Sequence, residues 1–422
     1  MKPLIRSLLR SLAKRTLRKY HPVVVGVAGS VGKTGTKEAI AAALSGYAGG
    51  VRKTEGSFNA EVGVPVTIIA GGRARQSPLA WLQVLVRGIR QVLSTVEYPA
   101  VLILELGADK PGDLRDLLAV AQPNIGVLTS TAPEHLEFFG DIRGVVSEES
   151  LIVRMLPATG AAIVNVDDER NRQIVSELTG RIISYGWHAD ATVRAEHVSL
   201  LFDDRHLPMG MVVKVAVDGS VIPVALPSVL GTHQVLPILA ALAVAKAVDV
   251  PLMDAVRGLS AYTPPPGRMR LLEGMKETLI IDDSYNASPE AMTAALQTLF
   301  DLHVPGRKIA VLGQMSELGA TANEWHDTIG KMLLAKTVSH IITVGPLAER
   351  IGKTAVTVGF PEARVQNVPN AEAAGAAVRE IVAPGDVVLL KGSRYANRLE
   401  RAARMVLAHP ERDSAKLVGG GD

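Results

Sequence analysis

Val23-Val24-Val25-Gly26-Val27-Ala28-Gly29-Ser30-Val31-Gly32-Lys33-Thr34 reads as a strand that runs into a phosphate loop. The β-branched run from Val23 to Val27 suits a pleated, buried strand, and Thr36 to Leu44 follows with a helical pattern. A loop between a strand and a helix points backbone N–H groups and a helix N-terminus at phosphate. Gly29, Ser30 and Gly32 would line that loop, Lys33 would meet the β- and γ-phosphates, and Thr34 would bind Mg²⁺. The strict pattern wants glycine five residues before Gly32, and Val27 stands there. A chance glycine-rich turn is therefore the competing explanation, and Gly-Lys-Thr alone names no reaction.

Outward from the loop, apolar strands recur at Ala100 to Leu104, Ile125 to Leu128 and Ala161 to Val164, with room for helices between them. That spacing predicts an α/β domain with a doubly wound parallel sheet. Residues 186–228 alternate short strands with turn residues (Asp203-Asp204, Asp218-Gly219) and read as a β-rich insertion or edge. Thr263-Pro264-Pro265-Pro266-Gly267 marks a boundary, because consecutive prolines continue neither a helix nor a central strand. A second α/β unit follows, with strands at Leu279 to Ile281, Ile309 to Leu312, Ile341 to Val344 and Val387 to Leu390. The expected organisation is a basic helix over 1–22, a central domain over 23–263, a C-terminal domain over 264–415 and a disordered tail over 416–422.

Composition narrows the class. The 422 residues are 47% hydrophobic and 21% charged, as for a globular protein of two or three domains. The near balance of 45 Lys plus Arg against 42 Asp plus Glu gives no reason to expect a nucleic-acid partner. Absence of cysteine excludes disulfides, thiolate metal sites and a thiol nucleophile, and is compatible with a cytoplasmic location. No apolar run reaches the length of a membrane span; the longest, Val235 to Ala245, is cut by Lys246. The first twenty residues hold seven Lys or Arg and no acid, with no continuous apolar core for a secretory signal. Leu4, Ile5, Leu8, Leu9, Leu12 and Leu17 recur there at helical spacing. Two fates suit that amphipathic helix: packing on the central domain, or lying on an anionic membrane surface.

The motifs resemble the Mur ligases, whose phosphate loop is a shortened version ending in Gly-Lys-Thr or Gly-Lys-Ser, and among them the D-Ala-D-Ala-adding type. Thr34-Gly35-Thr36-Lys37-Glu38, Phe58 to Pro65, Glu105-Leu106-Gly107-Ala108 and Pro133 to Gly140 follow that pattern. So do Gly267-Arg268-Met269, Asp282 to Pro289, Val311 to Gly319 and Lys391-Gly392-Ser393-Arg394. The resemblance implies a central ATPase domain and a Rossmann-like C-terminal domain that closes over the nucleotide. It also implies ATP and Mg²⁺, γ-phosphate transfer to a carboxylate, and attack by an amine on the acyl phosphate. By residue, Glu105 and His135 would be metal ligands beside Thr34. Arg268 would act on the phosphates, Asp283 and Asn286 would contact the nucleotide, and Lys391, Ser393 and Arg394 would hold the incoming amine substrate or its carboxylate. A helix cap before Ser284 to Ala287 is the plainer reading of Asp283.

Several positions depart from the resemblance. The family's carbamylated lysine has no counterpart, since no lysine lies between Lys110 and Lys214 and Glu149 stands at the matching place. Glu149 either offers a carboxylate to the second metal through water or is a helix-surface acid. Family members begin with a domain that grips a uridine nucleotide, whereas the loop here arrives by residue 26. Gln314, Glu290, Gln234 and Pro237 also replace usual residues. The leading expectation is a monomeric ligase that joins a dipeptide-like amine to a peptidoglycan-precursor carboxylate. Two others stand beside it: a ligase for a cofactor or polyglutamate, and a nucleotide-binding partner protein without turnover. Retention of Lys33, Thr34, Glu105, His135 and Arg268 weighs against the last.

Overall fold

The computed structural model describes residues 3–56, 58–70, 78–132, 136–334 and 336–420. The chain divides into two compact units: residues 1–197, 213–225 and 235–262 form the first, and 198–212, 226–234 and 263–422 the second. The division falls at Tyr262/Thr263, where the proline run begins, and also passes through the β-rich stretch after residue 190.

Nine strands form the first sheet: β1 (Val23–Ala28), β2 (Val51–Lys53), β3 (Val101–Glu105), β4 (Ile125–Leu128), β5 (Ala161–Asn165), β6 (Arg181–Gly186), β7 (Val193–Phe202), β8 (Pro208–Val217) and β9 (Ser220–Pro227). Their order is β2-β3-β1-β4-β5-β6-β7-β8-β9. From β2 to β7 every recorded pairing is parallel, with Val25 of β1 opposite Ile103 of β3 and Ile125 of β4. The chain therefore reverses direction across β1. Such a switch leaves a crevice at the carboxyl ends of the neighbouring strands, where α/β sheets bind ligands. The phosphate loop follows β1 and Glu105 ends β3, so both reach that crevice. The strands β7 to β9 are longer than the short strands expected. Asp218 and Gly219 both adopt positive φ (51° and 75°), the geometry of a two-residue turn that folds β8 back on β9.

Helices cover both faces of the sheet. The thirteen-residue helix Val235–Ala247 is apolar on every side and buried from Val235 to Ala245 apart from Leu236, which makes it core. Among the described residues no helix is long and apolar enough to cross a membrane. The basic N-terminal segment folds as one helix, Pro3–Tyr20. Leu9, Leu12 and Ala13 are buried in the first core with Ile68, Ile69 and Leu104, and Ile5 and Leu17 pack against its rim. Ile5, Leu9, Leu12 and Leu17 are thus taken up by protein, in line with the packing alternative, while Leu8 stays 41% exposed.

In the second unit, β10 (Arg270–Gly274), β11 (Thr278–Asp283), β12 (Lys308–Gly313), β13 (His340–Val344), β14 (Val365–Val368) and β15 (Val387–Lys391) take the order β10-β11-β15-β12-β13-β14. Only β10 runs antiparallel to its neighbour. One core lies on each face, the first around Ile281, Ala310 and Leu389, the second around Ile280, Val311 and Leu390. Of the tail expected to be disordered over 416–422, Leu417 is buried in the second core, and residues 421–422 lie outside the described residues.

Candidate active site

In the first unit the loop folds tightly over the crevice. Gly29 has φ +126°, and a Cβ there would stand 2.1 Å from Thr129 Oγ1, so only glycine fits. Gly32, at φ +92°, opens the helix Lys33–Ala43, whose first N–H groups have no intrahelical acceptor. Ser30 and Val31 donate their N–H groups to the Ser130 carbonyl at 2.9 and 3.1 Å, which ties the loop to the end of β4. Lys33 curls back so that Nζ donates to the carbonyls of Ser30, at 2.9 Å, and Gly29.

Glu105 is the hub beside the loop, and it is 1% exposed. Its Oε1 accepts from Thr34 Oγ1 at 3.1 Å and from Asn59 Nδ2 at 3.3 Å. Its Oε2 lies 3.2 Å from Nζ of Lys37, a lysine with no exposed side-chain surface that also donates to the Gly56 carbonyl at 2.6 Å. Lys37 and Asn59 were legible only as parts of family-like motifs and carried no role. The signal available was a second lysine, one turn after Lys33, in a helix made mostly of small residues. A buried cation and carboxylate this close fix each other, because either alone would be left uncompensated.

Glu149 ends the helix Ile142–Glu149 and is 4% exposed, so it is not a surface acid. Its Oε2 accepts the Gly29 N–H at 2.7 Å, which places a carboxylate under the phosphate loop itself. The neighbouring Glu148 faces elsewhere and accepts from Gly112 and Leu114 at the start of another helix. His135 lies outside the described residues. Among those described, no three of His, Asp and Glu gather as a metal cluster would. The Thr34 hydroxyl and the Glu105 carboxylate nevertheless form a pair of hard oxygen donors, a set that suits Mg²⁺, which keeps several waters.

The second unit holds the other group of expected site residues. Lys391, 1% exposed, sets Nζ 2.7 Å from Asp283 Oδ2 and donates to the Asn286 carbonyl at 2.9 Å. Its ammonium is used inside the protein and does not face an incoming substrate. Asp283 Oδ1 accepts from the Met269 N–H at 3.1 Å. It caps no helix, since the helix begins at Pro289 and Ser288 caps it through the Ala291 N–H. Ser393 is buried and donates its N–H to the Gln314 carbonyl. Arg394 is half-buried and bonds Glu400 at 3.2 Å, and Asn286 is exposed. Arg268 stacks its guanidinium 4.4 Å from the Tyr285 ring centre. Asn397, unforeseen in the sequence, ties the ends of β12 and β13 through the Gln314 N–H and the Val344 carbonyl.

A cavity of about 600 Å³ opens nearby, lined by Leu200, Met211, His233, Glu290, Thr293 and Trp325 among others. Burial pushes the His233 imidazole down to about 4, with Lys391 adding to the fall and Asp283 opposing it. Burial also pushes the fully enclosed Asp282 up to about 6 against the N–H groups of Ser284 and Gly267.

Comparison with known proteins accords with this geometry. Residues 86–245 match the Mur ligase middle domain and residues 267–394 the Mur ligase glutamate ligase domain. The UDP-N-acetylmuramoyl-tripeptide–D-alanyl-D-alanine ligase of Bacillus subtilis (strain 168) is 29% identical over 402 residues, covering 95% of this chain and 79% of that one. The enzyme of the same name from Escherichia coli (strain K12) is 31% identical, over 88% of this chain and 74% of its own. Among solved structures, MurF ligase from Thermotoga maritima in complex with ADP superposes with a TM-score of 0.76 at 28% identity, covering 95% of this chain and 83% of that one. The chain belongs to the Mur ligase family, ATP-dependent enzymes that form amide bonds. The fold expected from sequence, a phosphate-loop ATPase domain followed by a Rossmann-like α/β domain, is the fold these relatives share.

Proposed function

We propose that the chain adds D-alanyl-D-alanine to the free carboxylate of a UDP-linked muramoyl tripeptide, with ATP converted to ADP and phosphate. The observation that carries this reading is the buried Thr34–Glu105–Lys37 group at the head of the phosphate-loop helix. It stands in a chain 31% identical, over 88% of its length, to a ligase named for that reaction. The loop N–H groups and Lys33 would hold the phosphates of ATP and offset charge as the γ-phosphoryl moves to the substrate carboxylate. Mg²⁺ held by Thr34 and Glu105, with His135 and Glu149 as further candidates, would neutralise phosphate charge there. The amine then attacks the acyl phosphate carbon, the tetrahedral intermediate expels phosphate, and the amide remains.

Of the candidate site residues in the second unit, Arg268 and Arg394 are the cations with exposed surface and would meet phosphate or substrate carboxylate. Asp283 would fix the backbone at Met269 and Lys391 that at Asn286. The test is phosphate release from ATP with UDP-muramoyl tripeptide and D-Ala-D-Ala, against panels of single amino acids and of glutamylated acceptors. Release that requires both named substrates is expected. Release supported equally by an unrelated amine and carboxylate would overturn the assignment.

A further inference from the structure

The helix Pro78–Leu93 carries two apolar faces, and the core uses one. Val84 is buried, Trp81, Leu85 and Val92 are partly so, and Gly88 lies so near Ile69 and Leu12 that a Cβ would stand 2.8 and 3.1 Å from them. The other face presents Leu82, Val86, Ile89 and Leu93, which are 57%, 54%, 44% and 78% exposed. At about 100° per residue these four fall within an arc of roughly 60°, and they run for roughly 16 Å along the axis. Arg90 and Arg87 lie along one side of the strip, are exposed, and have no ion pair among the described residues.

The basic helix Pro3–Tyr20 packs alongside, with Lys19 Nζ donating to the carbonyls of Gln91, Val92 and Ser94 where its neighbour ends. Arg15 and Arg18 add exposed cations, whereas Arg6 and Arg10 face Glu61 and Asp116. Neither helix contains an acid. A narrow apolar strip with guanidiniums along one side, on a pair of helices that carry no carboxylate of their own, is the complement of anionic headgroups over acyl chains.

We propose that the helix pair Pro3–Tyr20 and Pro78–Leu93 docks the enzyme on an anionic phospholipid surface, with Leu82, Val86, Ile89 and Leu93 entering the headgroup boundary and the arginines meeting lipid phosphates. The apolar contact comes mainly from the second helix, because Ile5, Leu9, Leu12 and Leu17 of the first are taken up by the core. One occupant, a lipid with an anionic headgroup over acyl chains, meets both halves of this surface, the phosphate facing the arginines and the acyl boundary facing the strip.

Full-length protein is sedimented with phosphatidylglycerol–phosphatidylethanolamine vesicles and with phosphatidylcholine vesicles, at low and at raised salt. Binding to the anionic vesicles, weakened by salt, is expected. The pair Leu82→Ser and Ile89→Ser lowers the partition about tenfold or more, and so does Arg87→Ala with Arg90→Ala. Melting temperature and ligase turnover in lipid-free buffer stay unchanged, since none of these residues touches the loop or Glu105. Val86→Ser with Leu93→Ser serves if the first pair fails to fold. Three results would overturn the proposal: wild type that stays in the supernatant, serine variants that sediment as well as wild type, or lipid-free self-association that the serine variants abolish.

Discussion

At the scale of single residues, Lys33 and Glu149 test different parts of the phosphate loop. Lys33 is the cation held by the loop carbonyls, and it would swing to the γ-phosphate when charge develops there. Lys33→Ala should lower phosphate release at least about 10²-fold, the usual cost of removing one such contact. A variant retaining a tenth of wild-type turnover would contradict the role. Glu149 supports the loop from below through the Gly29 N–H. A glutamine there can still accept that hydrogen bond through its amide oxygen but brings no charge. Glu149→Gln should therefore keep the melting temperature near wild type, whereas Glu149→Ala leaves a buried N–H unpaired and costs about 1–3 kcal/mol. If the carboxylate also serves the metal, Glu149→Gln raises the Mg²⁺ concentration needed for half-maximal turnover; an unchanged titration leaves it a loop support alone. Bicarbonate should change neither variant nor wild type, because Glu149 stands where the family's carbamylated lysine would be and no lysine lies between Lys110 and Lys214.

At the scale of elements, the loop is positioned by what packs behind its helix. The helix Leu252–Leu259 crosses Lys33–Ala43 at Gly258, where a Cβ would lie 2.1 Å from the Ala42 carbonyl oxygen. Backbone cannot yield by so much without moving the helix. Gly258→Ala should cost about 1–3 kcal/mol in denaturant unfolding and lower kcat by shifting the phosphate-loop helix; wild-type values for both would show that the crossing relaxes. These elements also show what sequence patterning carries. The strands β1, β3, β4 and β5 were legible because their buried β-branched runs stand between helical periods. The strand β6 was not, since Arg181 opens it and Gly186 closes it. The lengths of β7 to β9 were obscured because half-exposed strands mix polar with apolar residues. The packing of Leu417 was hidden among glycines. Loop and carboxylate positions followed from motif order, but the Lys37–Glu105 pair depends on which helix turn faces which strand end, and spacing alone does not tell that. The buried states of Lys391 and Ser393 likewise arise from the pairing of β15 with β11, which brings Lys391 opposite Asp283.

At the scale of the whole molecule, two of the groups in the second unit that couple stability to pH, Asp282 and His233, have shifts that oppose each other. Asp282 is held near 6 in the folded chain and returns to its ordinary value near 4 on unfolding. Between those values the folded chain binds the proton that the unfolded chain has released, so this carboxyl's contribution to stability falls as pH rises through 6. His233 is held near 4 against an ordinary value near 6.5. In that window the unfolded chain binds the proton, so its contribution rises with pH and is lost on acidification. The two slopes nearly cancel between pH 4 and 6. Asp282→Asn should leave the histidine slope exposed, giving a second unit that gains stability from pH 4 to 6.5 relative to wild type. His233→Asn should expose the carboxyl slope, with stability declining from pH 4 to 6 relative to wild type. Chemical unfolding followed through Trp325, in a Trp81→Phe and Trp187→Phe background, reads this unit alone. Parallel pH profiles for wild type and both variants would mean that neither group changes its proton affinity on folding.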